Sequence, residues 1–194
     1  LENAGIKAEI SPMVRGRLTM LNGREVGVAD YEDDRAKRLI DREFNLSWRE
    51  DLPYGNKVVN GRWFRPEEMQ RGVASVEDGL AKTLGLKLGD KLEFVVAGEK
   101  VEMQVLGLRK LNWDSMRVNF FVLTPPSVLD GYPASWITSF YLPPDKTGFV
   151  NQLVAEFPNL TVVDVAAIVQ QVQAIMDQVA QAVGEEGLAE QAVG

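Results

Sequence analysis

The sequence predicts an α+β fold, with a split α/β lobe built from the two ends of the chain and a β-rich lobe inserted between them. Three observations carry this. Short extended segments recur between Gly, Pro, Asn and Asp turn signals through the first two thirds of the chain. One short helical stripe interrupts them near residue 80, and long helical spacing is confined to the last fifty residues. The ends therefore read as β…βαβα and the middle as strands with one helix.

Taken in order, "KAEISPMV" (7–14) and "RLTML" (17–21) are extended, with Asn22-Gly23 turning the chain back into "REVGVA". "DYEDDRAKRLIDREF" mixes its charges as a solvated helix or an irregular polar excursion does. "LPYGNKVVNGRWF" packs three turn signals into a short span and predicts short strands, ending on Trp63 and Phe64 as core anchors. In "SVEDGLAKTLGLKLGDKLEF", Ser75 is the expected helix cap, with Val76, Leu80 and Leu84 on one stripe and Gly85 as the stop. Gly89-Asp90 then turns into a hairpin whose loop is Ala97-Gly98-Glu99. "VNFFVLTPP" (118–126) predicts a strand buried on both faces, and "SWITSFYL" (135–142) an alternating one. Helical spacing follows over 146–157, a strand is expected at 159–163, and a long helix capped by Asp164 carries Val165, Ile168, Val172, Ile175, Met176, Val179 and Val183.

The expected boundaries are 5–50 and 134–183 for the discontinuous lobe and 51–133 for the inserted lobe. Residues 184–194, ending "EEGLAEQAVG", read as a disordered tail or an expression remnant. The start at Leu1 fits an excised piece of a longer protein.

Composition excludes more than it assigns. With neither Cys nor His in 194 residues, disulfides, thiolate or Ser-His-Asp nucleophiles and His-ligated metals are unavailable. The net charge is −7, with 13 basic against 13 acidic residues over 1–75 and one lysine against seven acids over 145–194. No basic stripe marks a nucleic-acid binder. No window approaches a membrane span. Paired carboxylates remain, at Asp33-Asp34, Glu50-Asp51 and Glu67-Glu68, but neighbours in sequence do not face each other across a cleft. Asp114-Ser115 has no surrounding nucleophile motif and reads as a capped loop covered by Trp113. No cofactor fingerprint occurs.

Four stretches in order, "GNKVVNGRWF", "SVEDGLAKTLGLKLGDKLEF", "NWDSMRVNFFVLTPPSVLDG" and "ASWITSFYLP", resemble the large extracytoplasmic domain of FtsX/MacB-type ABC transporter permeases, in particular the YbbP-like branch. The likeness runs from about Ile6 to Val183. It implies a porter-like α/β lobe with an inserted β-rich lobe, held on the periplasmic side of a bacterial inner membrane between two membrane helices. It also implies a non-catalytic part of a machine that includes a cytoplasmic ATPase subunit and a second permease copy. A periplasmic partner similar to a thioesterase or lysophospholipase, and lipophilic cargo, are implied as well.

No catalytic residue, cofactor or metal ligand carries over. The motif maps onto Trp113, Asp114, Met116, Arg117, Asn119 and Phe120, which with Trp63 are the candidates for a lobe junction or a contact surface; Met13 and Trp136 extend the apolar candidates. Two other readings stay open: a stand-alone lipid-binding protein with a closed apolar cavity, and a carboxylate hydrolase with two displaced acids in a deep pocket.

Overall fold

The structure is a computed structural model that describes Leu1 and residues 5–191, with side chains through residue 180. It forms two compact units, Leu1–Tyr141 and a second beginning at Leu142.

The first unit is a sheet that closes on itself. Its strands are β1 (Ser11–Leu21), β2 (Arg24–Glu25), β3 (Phe44–Trp48), β4 (Lys57–Gly61), β5 (Val73–Glu77), β6 (Lys91–Val96), β7 (Glu99–Lys110), β8 (Val122–Thr124) and β9 (Ser135–Ile137). Six of them complete a ring, β1-β3-β8-β5-β7-β6 and back to β1; β2 and β9 add to β1, and β4 adds to β7. β3 with β8 and β5 with β7 are parallel, and the other ring pairs are antiparallel. Closure removes the free edges of the ring strands, a common route to a self-limiting all-strand core.

Local chemistry explains the path. In β1, Val14, Gly16 and Leu18 are buried while Arg15 and Arg17 face out. Gly16 lies tight against the core, where a Cβ would sit 2.9 Å from Leu46 Cδ1 and push it aside. The Asn22-Gly23 turn has φ of 52° and 77°, the positive pair that a tight hairpin demands. Helix α1 (Asp34–Ile40) starts at Asp33, whose carboxylate accepts from Ala36 N at 2.8 Å, and it buries Ala36, Leu39 and Ile40. The polar excursion is therefore a helix with a core-facing side. Helix α2 (Asp78–Leu84) ends at Gly85 with φ 71°, as the stop signal implies.

Its cap, however, is Glu77, which accepts from Leu80 N. Ser75 and Val76 belong to β5, whose five residues are all buried. A strand covered on both faces has no exposed positions to betray it. Leu46, Leu92, Phe94, Met103 and Val122 fill the core, and Phe44 meets Phe94 edge to face at 6.1 Å.

Several expected elements are shorter or absent. Of 118–126 only Val122–Thr124 is a strand, followed by a one-turn helix α3 (Pro126–Leu129). β9 covers only Ser135–Ile137 of the expected 135–142. The strand expected at 159–163 does not form, and Leu160, Val162 and Val163 are exposed, so its apolar run has no sheet to join.

The expected division at residues 50/51 does not appear in the sheet. β1 and β3 come from one expected lobe, yet they pair directly with β6 and β8 from the other. The sequence signals for turns do not distinguish a lobe boundary from a bend inside one barrel.

The second unit holds α4 (Gly148–Glu156) and α5 (Val165–Gln191). Asp164 caps α5, its carboxylate accepting from Ala167 N at 3.0 Å. The helix extends past the boundary expected at Val183, and residues 192–194 lie outside those described. Its apolar stripe is exposed along Val165, Ile168, Val172, Ile175, Met176 and Val179. No helix among the described residues is long and apolar enough to cross a membrane.

Candidate contact surface

The motif loop sits beside the end of β7, and a bulge in that strand organises it. Ala74 pairs with Val105 but Ser75 pairs with Gly107, so Leu106 is the extra residue. A one-residue slip reverses which side chains face the core. Before it Val101, Met103 and Val105 are in the core; after it Leu108 takes that role beside Val76. Gly107 and Arg109 then point to the opposite face, in register with Ser75 and Glu77. Only glycine fits at 107, because a Cβ would lie 2.3 Å from the Arg62 carbonyl oxygen crossing over it.

Arg109 is completely buried on that face. Nη1 donates to Asn56 Oδ1 at 2.7 Å, and Nη2 donates to the Phe120 carbonyl. Nε has no protein partner, nor does Ser75 Oγ. Burial pulls the guanidinium down to about 9, while Glu77 works in the opposite direction. That is still above neutral pH, so the group is a buried cation. It ties the loop before β4 to the loop after β7.

Further contacts join the same two loops. Asn56 Nδ2 donates to Asn119 Oδ1 at 3.2 Å, and Asn119 Nδ2 donates to the Arg117 carbonyl at 3.3 Å. The Arg117 guanidinium lies 4.6 Å over the Tyr54 ring. Trp63 Nε1 donates to the Glu50 carbonyl at 2.8 Å, anchoring the start of the first loop. Asn112 Oδ1 accepts from Asp114 N, and Ser115 Oγ donates to the Asn112 carbonyl at 2.8 Å. The serine hydroxyl is thus occupied by its own turn. Met116 closes that turn with φ 54°, a left-handed conformation unusual for a side chain of its size.

The expected site residues divide by role. Phe120 is buried, Asn119 and Trp63 are half-buried, and Asp114 and Arg117 are exposed. Trp113 is 55% and Met116 61% exposed, and Tyr54 reaches 76%. Trp113 leans on Phe121 with ring centres 5.6 Å apart. Met13 is half-buried in β1, and Trp136 is exposed on β9 with its edge towards Trp48 at 6.2 Å. Sequence reasoning missed Arg109, Asn56 and Tyr54. An arginine at the end of an apolar strand looks like a water-facing rung, and nothing local announces the bulge that buries it.

Among the described residues no three acids gather to hold a metal. The acid clearly displaced among the described residues is Glu68, held down to about 2 by the Arg62 guanidinium, which suits an ion-paired anion and not a general acid. A separate open groove of about 420 Å³ runs beside β1 and β6, lined by Leu18, Met20, Val26 and Val95 together with Arg17, Lys100, Glu25 and Glu93. Both charge signs are present there, so no ligand class is singled out.

No family model matches the chain. It is 37% identical over 161 residues to YbbP, described as an uncharacterized ABC transporter permease, of Escherichia coli strain K12. The match covers 83% of this chain. The resemblance is to one segment of an ABC transporter permease. The likeness to the YbbP type read from the four motifs is borne out, and the chain spans about a fifth of that relative, 19% of its length. A crystal structure of a domain ascribed to a permease protein of Porphyromonas gingivalis aligns with a TM-score of 0.41 and 16% identity, over 78% of this chain and 69% of that one. Similarity at that level fixes neither the arrangement of strands nor a function.

Proposed function

We propose that the chain is an extracytoplasmic segment of an ABC transporter permease, a non-catalytic module that couples cytoplasmic ATP hydrolysis to movement and contact outside the membrane. The observation that carries it is the 37% identity to one fifth of a permease. The closed sheet supports the reading: a ring of hydrogen-bonded strands moves as a rigid body and presents the Tyr54, Trp113 and Met116 side chains in fixed positions. In this reading the machine includes an ATPase subunit and a second permease copy. The exposed loop meets a periplasmic partner, similar to a thioesterase or lysophospholipase, or lipophilic cargo.

The absence of cysteine from this segment makes the side of the membrane directly testable. Val59 is 41% exposed on β4, and Val59→Cys in a cysteine-free full-length permease places one thiol on the barrel. Labelling of intact spheroplasts by a membrane-impermeant maleimide is the expected result. Labelling only after the membrane is opened would overturn the extracytoplasmic assignment. For the contact role, Trp113→Ala with Met116→Ala should uncouple the reconstituted transporter while leaving the fold and basal ATP hydrolysis intact.

A further inference from the structure

Lys57 and Lys110 stand directly opposite each other on the β4–β7 ladder, next to the exposed aromatic loop. Like charges in directly opposed positions destabilise a strand pair. Both lysines are exposed, and among the described residues no carboxylate is within ion-pair distance of either. This happens in a chain of net charge −7, where acids are plentiful. Three residues before Lys57 stands Tyr54, under the Arg117 guanidinium; three after Lys110 stands Trp113. Tyr54 and Trp113 thus stand close in the chain to three cations, Lys57, Lys110 and Arg117, and among the described residues no acid is within ion-pair distance of any of the three.

We propose that this face docks a protein surface carrying carboxylates around an apolar centre. The inference rests on the reading of the loop as a contact surface and adds the chemistry of what it contacts. Aromatic, Met and Arg side chains are the ones enriched at the centres of protein interfaces. A partner acid between Lys57 and Lys110 would relieve the repulsion that the free protein carries, so the cost of the lysine pair is recovered on binding. Asp114, Glu50 and Asp51 lie in the same loops. Acids within the same loops suit a patterned protein surface and disfavour a uniform polyanion such as nucleic acid or an anionic membrane.

The test uses the 194-residue chain and an amphipathic helical peptide with Leu and Phe on one face and Glu on the other, followed by calorimetry. Parallel titrations use the same peptide with Lys in place of Glu, phosphatidylglycerol vesicles, and a single-stranded oligonucleotide. The acidic peptide should bind, weakening roughly tenfold as salt rises from about 50 to about 500 mM, and the Lys peptide should not bind. Lys57→Glu separates this role from a structural one. It should raise Tm, since it turns the opposed pair into an attractive one, while weakening the acidic peptide by about tenfold or more.

Equal binding of both peptides, full binding by Lys57→Glu, or binding of vesicles or oligonucleotide with the acidic peptide silent would each overturn the proposal. If the Trp113 and Met116 substitutions uncouple the permease but Lys57→Glu does not, the contact reading stands and the acidic partner falls.

Discussion

Replacing Arg109 with Met tests whether the buried guanidinium is what holds the motif loop in place. Met keeps the apolar stem and removes every donor. Two charge-assisted hydrogen bonds are lost, to Asn56 Oδ1 and to the Phe120 carbonyl, worth about 1.5–3 kcal/mol each. Against that, a buried cation with an orphaned Nε no longer has to be desolvated, a relief of roughly several kcal/mol. The Asn56 and Phe120 oxygens are left without this partner, which costs about 1–3 kcal/mol per buried acceptor. The net expectation is destabilisation by about 2 kcal/mol, concentrated in the loops rather than the ring. Urea denaturation reads the total. Amide exchange should quicken roughly thirtyfold in segments 54–56 and 117–121, since each 1.4 kcal/mol is about a factor of ten in a local opening equilibrium. Arg109→Lys should destabilise more than Met, because an ammonium lacks the fork that spans both acceptors yet must still be desolvated. A Met variant as stable as the parent, with unchanged exchange in those loops, would show that the guanidinium is a net cost and that the loops are held by other contacts.

The Arg62–Glu68 pair predicts an acid-side loss of stability. Hydrogen bonding from Arg62 lowers the Glu68 carboxyl from 4.5 to about 2, so its contribution is complete above the unfolded value and fades as pH falls from there towards 2. Glu68→Gln should flatten that part of the stability-pH curve and cost about 2 kcal/mol at neutral pH, read by urea melts at successive pH values. At the β6–β7 hairpin, Ala97 holds φ 49° in the turn before Gly98. Ala97→Asn should raise stability by about 0.5–1 kcal/mol, since Asn tolerates that conformation and Asn-Gly is the favoured pair, measured as a higher urea midpoint at an unchanged slope.

Legibility in the sequence followed the range of the interaction responsible. Local signals held: the Asn22-Gly23 and Ala97-Gly98 turns, the Gly85 stop, the Asp164 cap and the pairing of β6 with β7. Failures began where long-range pairing overrules local chemistry. Ser75 looks like a helix cap, but β5 needs it as a strand residue between β7 and β8. The expected separation at residue 50 looks reasonable because turn signals crowd 53–61. Nothing local tells that β1 will meet β6 and close a ring. The site divides in the same manner. Trp113, Met116 and Arg117 are recognisable as a motif. Arg109 becomes a site residue only through the bulge at Leu106, which depends on the register of a strand thirty residues earlier.

That bulge is also where fold and recognition meet. A ring of strands buries one face of each residue pair and leaves the other to water, so an exterior site must be built on the outward face. The slip at Leu106 turns Gly107 and Arg109 outward together. Glycine lets the Arg62 backbone lie flat against the strand, and the arginine reaches under the two loops that follow and precede neighbouring strands. The desolvated charge and the orphaned Nε are costs that the arginine's two hydrogen bonds must outweigh. What the buried cation adds is a single position for a loop whose outer side chains stay exposed. Exposed Tyr, Trp and Met on a floppy loop would lose conformational entropy on meeting a partner; held in advance, they lose much less. The unsatisfied Nε, the left-handed Met116 and the opposed lysines are all costs borne by the free protein within one stretch of surface. On the proposed contact reading, costs gathered so closely are those of a binding face prepared for its partner.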